Sequence, residues 1–217
     1  MKIGVAIPCY FGHISHLTCL LDSIENQSVK PDKVVVRCSS TKNLFETKQY
    51  SFPLNIIITE DHTNAAQNRN IAAKHLSDMD YITFMDADDI MHPQRIEIIL
   101  KTFQETGCDI ILHNYSTNNS KFEYIDKATI RTNELMQCSS GCIRHKDFYK
   151  YSNTDLIHHS QSSVKKHIFD KIQYPEEKEF YSKEDCVFCY RVFSIPNVTN
   201  SYIANKLSFY KPSRTQI

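Results

Sequence analysis

Three carboxylates close the segment Tyr81-Ile82-Thr83-Phe84-Met85-Asp86-Ala87-Asp88-Asp89. Side chains alternate along extended backbone, so Asp86 and Asp88 can point the same way with Ala87 between them. Two crowded carboxylates repel unless a cation sits between them, and hard oxygen ligands suit Mg2+ or Mn2+. Mg2+ takes one or two carboxylates and completes its shell with substrate phosphates. The expected chemistry is a divalent-metal site that holds a diphosphate. The plainer alternative is a solvated turn, with Asp89 capping the next helix. A second acidic centre, Glu184-Asp185, opens an apolar helical run closed by Pro196. Carboxylates at a helix start are stabilised by the macrodipole and by orphan N–H groups. One that faces a metal-bound donor would instead act as general base towards an attacking hydroxyl.

These groups need a scaffold. Tyr81 to Met85 is aromatic and β-branched without Gly or Pro, which predicts a buried strand. Ligands of open α/β sheets bind just outside the carboxyl ends of strands, where the acidic turn begins. Upstream, strands are expected at Ile3–Ile7, Lys33–Cys38 and Leu54–Thr59. Helices are expected at Ser15–Asn26 and Asn64–Leu76. Pro93 suits a helix start, Ile96, Ile99, Leu100 and Phe103 make its apolar face, and Gly107 ends it before a strand at Asp109–His113. This alternation predicts an α/β fold with a mainly parallel central sheet covered on both faces. The second half is less regular. Lys121–Ile130 reads as one or two strands, Cys138–Ile143 as short and mixed, and Ser163–Ile172 as a helix. The 217 residues suit one domain, 1–217, with a binding half at 1–115 and a smaller mixed region at 116–217.

Composition narrows the classes. Lys+Arg and Asp+Glu are equal at 25 each, which argues against nucleic acid as the main partner. No run approaches the length of a membrane span, and no signal peptide is visible, so a cytoplasmic chain is expected. Only four glycines occur, and none forms Gly-x-Gly-x-x-Gly or a P-loop. The eight cysteines read as reduced thiols, with structural zinc at Cys138-x3-Cys142 and Cys186-x2-Cys189 as the lesser alternative. Asn-x-Ser/Thr triplets at Asn26, Asn114, Asn118 and Asn197 are taken as chance. His158-His159 reads as a polar loop pair, with contact to a sugar or acceptor as the alternative.

Taken in order, the pieces resemble the family 2 glycosyltransferases, which have the GT-A fold. Ile7-Pro8-Cys9-Tyr10 is similar to the family's opening segment, which lines the nucleotide base. Val34 to Thr41 stands where the family has Asp-Asp-Gly-Ser-Thr, with Arg37, Cys38 or Ser39 in place of the base-binding Asp. Ala65-Ala66-Gln67-Asn68-Arg69-Asn70 is similar to the Ala-Arg-Asn helix start, with Gln67 at the Arg and Arg69 two residues on. Phe84 to Asp89 matches the Asp-x-Asp segment, Glu184-Asp185 looks like the acceptor-side Glu-Asp, and Leu207-Ser208-Phe209-Tyr210 resembles a late Tyr-containing strand.

The resemblance implies a metal-dependent, inverting glycosyltransferase that moves a sugar from a nucleotide sugar, a UDP-sugar by expectation, to a glycan or other hydroxyl acceptor. Asp88, with Asp86, would hold Mn2+ or Mg2+. Pro8, Cys9, Tyr10, Ser39, Gln67, Asn68, Arg69, Asp86 and Ala87 would contact the donor. Asp185 would be the base and Glu184 its support. Two competing readings are a sugar nucleotidyltransferase and a non-catalytic sugar-nucleotide or glycan-binding module. The first would carry a Gly-rich basic loop after the first strand, which Pro8 to His13 lacks. Retention of Asp88 and Asp185 counts against the second.

Overall fold

Residues 1–43, 45–118, 121–151 and 153–211 are described by a computed structural model. Asn119 and Ser120 of the Asn118 triplet lie outside them. The strands are β1 (Ile3–Tyr10), β2 (Lys33–Ser39), β3 (Leu54–Ile58), β4 (Tyr81–Phe84), β5 (Ile90–Met91), β6 (Ile110–Ser116), β7 (Ile130–Thr132), β8 (Leu135–Gln137), β9 (Ile143–His145), β10 (Ser163–Lys165) and β11 (Asn200–Phe209). The helices are α1 (Ile14–Glu25), α2 (Ala65–Lys74), α3 (Arg95–Thr106), α4 (Phe148–Tyr151), α5 (Lys166–Lys171) and α6 (Glu184–Phe193).

Among the described residues the central sheet runs β3-β2-β1-β4-β10-β6-β11-β5, with β7 on the edge of β11. β3, β2, β1 and β4 are mutually parallel, as are β6 and β11. β10 runs antiparallel to both β4 and β6 and joins the two halves. Alternation along β1 divides the core. Ile3, Val5, Ile7 and Cys9 pack with α1 and α3 on one face, and Ala6 packs with α2, α5 and α6 on the other. This is the expected sandwich of helices about a mainly parallel sheet.

Local chemistry sets the helix ends. Asn64 accepts from the Gln67 N–H at 2.8 Å and Gln67 Oε1 accepts from the Asn64 N–H at 3.0 Å, a capping box that starts α2. Gly107 ends α3 at φ +63, a left-handed position that glycine occupies without penalty.

Two sequence expectations fail here. Ser163–Ile172 is not one helix: Ser163–Lys165 is β10, and the helix starts at Lys166. Val164 fills the sheet interior, while Ser163 Oγ meets Thr83 Oγ1 at 2.7 Å. A strand and a helix joined end to end place apolar residues four apart just as one helix does. Lys121–Ile130 likewise makes no ladder before β7 begins at Ile130. Its backbone pairs with side chains instead. Ile125 N–H donates to Gln94 Oε1 at 2.8 Å, Gln94 Nε2 donates to Ile125 O at 3.1 Å, and His92 Nε2 meets Glu123 O at 2.9 Å. Side-chain partners satisfied this backbone where propensity suggested a strand. Cys138 to Cys142 forms the turn between the antiparallel strands β8 and β9.

Candidate active site

The strand order changes direction at β1, since β2 follows it on one side and β4 lies on the other. Crevices form at such switch points, outside the carboxyl ends of the strands. A cleft of about 450 Å³ opens there. Its walls are Pro8, Cys9 and Tyr10 from the end of β1, His13, Thr63, Asn64, Ala65, Asn68 and Arg69 at the start of α2, the turn Asp86-Ala87-Asp88, and Tyr210.

Arg69 organises the acidic side. It is buried on α2, with its side chain 5% exposed. Nη2 donates to Asp86 Oδ1 at 2.7 Å and Nη1 donates to Glu184 Oε1 at 2.8 Å. Its guanidinium also lies over the Tyr174 ring at 5.2 Å. One planar fork thereby joins the two acidic centres, with Glu184 115 residues beyond Arg69 in the chain. Burial opposes the charge on Arg69, but Asp86, Tyr174 and Glu184 hold it well above the usual arginine value. Burial also raises the Asp86 carboxyl, yet Arg69, His158 and Ser160 outweigh it and keep Asp86 below the usual carboxylate range.

Behind Asp86 runs a buried polar relay. Ser160 Oγ donates to Asp86 Oδ2 at 2.7 Å and meets His158 Nδ1 at 3.1 Å. His158 Nε2 lies 3.6 Å from Asp89 Oδ2. Asp89 Oδ1 accepts from the Lys211 N–H at 2.9 Å, and Gln161 Nε2 donates to Oδ2. Burial pushes the Asp89 carboxyl up to about 6, despite the opposing His158 contact. Asp89 is therefore no exposed helix cap; it pins the strand end that carries Tyr210 into the cleft. His158 is buried too, not part of a solvated loop. His159 packs inwards, with Nε2 against the Ile143 backbone at 3.2 Å.

Asp88 differs from Asp86. Among the described residues its only ion-pair contact is His13 Nε2 at 3.7 Å. Burial raises its carboxyl, His13 opposes this, and the Asp86 charge adds to the rise. A half-buried carboxylate short of positive charge fits a divalent cation held by Asp88 with donor oxygens completing the shell. Both Asp86 oxygens are engaged by protein donors. Among the described residues no group of three or more His, Cys, Asp or Glu side chains converges on one point, so the protein alone supplies no closed cage.

The structure brings Pro8, Cys9, Tyr10, Asn68, Arg69, Asp86, Ala87 and Asp88 to one cleft. It places Ser39 and Gln67 elsewhere. Ser39 is fully buried, its Oγ accepting from Asn68 Nδ2 at 3.1 Å, and Asn68 Nδ2 also donates to Cys9 O at 3.1 Å. These bonds fasten β1, β2 and α2 together behind the cleft. Gln67 caps its helix, and Arg69 reaches the acidic turn instead. Glu184 borders an adjoining hollow with Asn64 and Ala65. Asp185 is half buried beside it, with Oδ1 accepting from the Cys186 N–H at 2.7 Å. Among the described residues Asp185 has no ion-pair partner within 4 Å, whereas Glu184 has Arg69. That Ser160, His158 and His13 neighbour the acidic turn was not legible in the sequence, because their contacts span long separations.

The sequence profile described as glycosyl transferase family 2 matches residues 4–173. The chain belongs to that family. An uncharacterized glycosyltransferase of Haemophilus influenzae is 29% identical over 128 residues, covering 57% of this chain and 42% of that protein. Glycosyltransferase GlyG of Streptococcus pneumoniae is 20% identical over 185 residues, covering 82% of this chain and 61% of that protein. This chain thus spans well under two thirds of the length of both. The crystal structure of S. aureus TarS 1–349 in complex with UDP superposes with TM-score 0.71 at 17% identity, over 97% of this chain and 60% of that one. The complex with UDP-GlcNAc gives TM-score 0.72 at 17% identity, over 100% of this chain and 60% of that one. These likenesses establish the GT-A architecture. Among the described residues no helix is long and apolar enough to cross a membrane.

Proposed function

We propose that this protein transfers a sugar from a nucleotide diphosphate sugar, with UDP-sugars the first candidates, to a glycan or other hydroxyl acceptor, inverting the anomeric carbon. One observation carries the reading: Asp88, raised by burial and by Asp86, lines a cleft at the β1/β4 switch point beside the start of α2. Family membership supports the reaction class, and the UDP and UDP-GlcNAc bound to TarS support the donor class.

In this reading Pro8, Cys9 and Tyr10 form the wall for the base and ribose. Asp88, with Asp86 beside it, would hold Mn2+ or Mg2+, which supplies charge compensation for the departing diphosphate. The α2 N-terminus, with its free N–H groups, favours the same negative charge. Arg69 keeps Asp86 ionised and in place. Asp185 takes the proton of the acceptor hydroxyl. Of the two acidic neighbours Asp185 is the freer to meet the acceptor, because Arg69 holds Glu184 in place while, among the described residues, Asp185 has no ion-pair partner within 4 Å. Residues 1–115 would carry the donor and residues 116–217 the acceptor side.

Thermal unfolding with a panel of nucleotide sugars, each with and without Mn2+, tests this. A ligand at about 100 times its dissociation constant stabilises by ~2.7 kcal/mol. For a chain of this size that is a rise of about 5–10 °C. A metal-dependent rise with one nucleotide sugar, lost in Asp88→Ala, is expected. No rise with any nucleotide, with or without metal, would sink the donor site.

A further inference from the structure

Cys9 and Cys38 are register partners on the neighbouring parallel strands β1 and β2. Both point into the same core face. Neighbouring strands lie about 4.8 Å apart, and disulfides form across Cα separations of about 4.4–6.8 Å. Cys9 lines the cleft, and Cys38 stands behind it, sharing a hydrogen bond with Thr41 Oγ1 at 3.2 Å.

We propose that Cys9 and Cys38 are a site of reversible two-electron oxidation in the cleft wall, which takes hydrogen peroxide and closes to a disulfide. The two sulfurs are unequal. The neighbouring Cys9 lowers the Cys38 thiol to about 7 against the effect of burial, helped by Thr41 and Arg37. The Cys9 thiol is raised, by Cys38 first, then by burial and the Asp88 charge. Cys38 is thus the nucleophile and Cys9 the resolving thiol. The Cys38 thiolate attacks one peroxide oxygen. An S–O bond forms, the O–O bond breaks, and the leaving hydroxide is protonated to water. The Cys9 sulfur then displaces hydroxide from the Cys38 sulfenic acid, and the Cys9 proton converts that hydroxide to a second water. Two thiols and one peroxide give one disulfide and two waters.

Cys9 is 3% exposed and lines the cleft, which is the route for a small oxidant to the fully buried Cys38 behind it. Resting on the proposed donor site, the inference carries a coupling: bound nucleotide covers Cys9 and blocks oxidation. The disulfide in turn ties this part of the cleft wall to β2 and weakens nucleotide binding.

The test uses the full chain carrying Cys19→Ser, which removes an exposed thiol. The folded protein is treated with hydrogen peroxide, remaining thiols are alkylated, and peptides are mapped. A Cys9–Cys38 cross-link that dithiothreitol reverses is expected, and Cys38→Ser should leave Cys9 alkylated. UDP with Mn2+ should slow the cross-link by about tenfold or more, since access governs thiol reactivity. Recovery of Cys9 and Cys38 as separately alkylated peptides, or pairing of either with another cysteine, overturns the proposal. Should Cys38→Ser fail to fold, the wild-type map decides alone. UDP titration of the reduced protein separates the two claims. A cross-link in a protein that binds no UDP leaves the dithiol standing and removes the donor reading. A protein that binds UDP yet cross-links equally fast with and without it overturns the coupling.

Discussion

Replacing Arg69 by Met tests the join between the two acidic centres. The side chain is 5% exposed and holds Asp86 at 2.7 Å and Glu184 at 2.8 Å. Met keeps much of the volume and removes the charge. Two largely buried carboxylates then lose their counterion, with side chains 20% and 12% exposed. Removing one partner of a buried ion pair costs about 3–5 kcal/mol, mostly as the penalty of the charge left behind. At about 2–4 °C per kcal/mol for a chain of this size, the unfolding midpoint should fall by about 6–20 °C. Arg69→Lys should recover only part, because an ammonium cannot serve both carboxylates with a planar fork. The pH dependence carries a sign. In the wild type Asp86 ionises below its unfolded value, so its contribution is present above that value and is lost as pH falls through the lower folded one. In Arg69→Met, burial without the arginine pushes the Asp86 carboxyl up, so the deficit should be widest near neutral pH and narrow as pH approaches about 4. Thermal and urea unfolding at several pH values measure this. A midpoint within about 3 °C of wild type near neutral pH would refute the reasoning, as it would mean the carboxylates are solvated without Arg69.

Other perturbations follow from the same structure. Burial holds His92, His113, His145 and His159 below the usual histidine value, so stability should be full above pH 6.5 and fall as pH drops below it. Each buried neutral histidine adds up to ~1.4 kcal/mol per pH unit, and a urea midpoint that stays flat from about pH 7 to 5 contradicts this. Gly4 lets α2 approach β1: a Cβ there would lie 2.6 Å from Leu76 Cδ2 and 2.9 Å from Met79 Cγ. Gly4→Ala should therefore cost about 1–3 kcal/mol, and an unchanged midpoint would show that the chain end beyond α2 yields freely. Asp88→Asn removes a carboxylate that burial and Asp86 already disfavour, so the ligand-free protein should be as stable as wild type or more so while the Mn2+-dependent nucleotide shift disappears. A large loss of ligand-free stability would instead assign Asp88 a structural role.

Much of the scaffold was legible because short-range patterns specify it. The strand Tyr81–Phe84, the stop at Gly107 and the helix start at Asn64 follow from β-branching, a left-handed glycine and a cap. β10 was not legible, since three residues inserted antiparallel between β4 and β6 leave no periodic signal of their own. The site was readable where chemistry is local, as in Asp86 and Asp88, and obscure where it depends on long contacts. Gln67 and Arg69 sit two residues apart on one helix. Only the fold shows that the first turns back to cap its own helix while the second crosses to Asp86 and Glu184. The His158–Ser160 relay likewise depends on the loop before β10 being carried under the acidic turn.

The most direct measurement is UDP release from UDP-sugars with Mn2+, using water as acceptor, by wild type, Asp185→Asn and Glu184→Gln, with UDP affinity titrated for each. Asp185→Asn should lose about 100- to 10,000-fold in turnover, the span of general-base catalysis, with UDP affinity nearly unchanged. Turnover by Asp185→Asn within about threefold of wild type would contradict the assignment of the base.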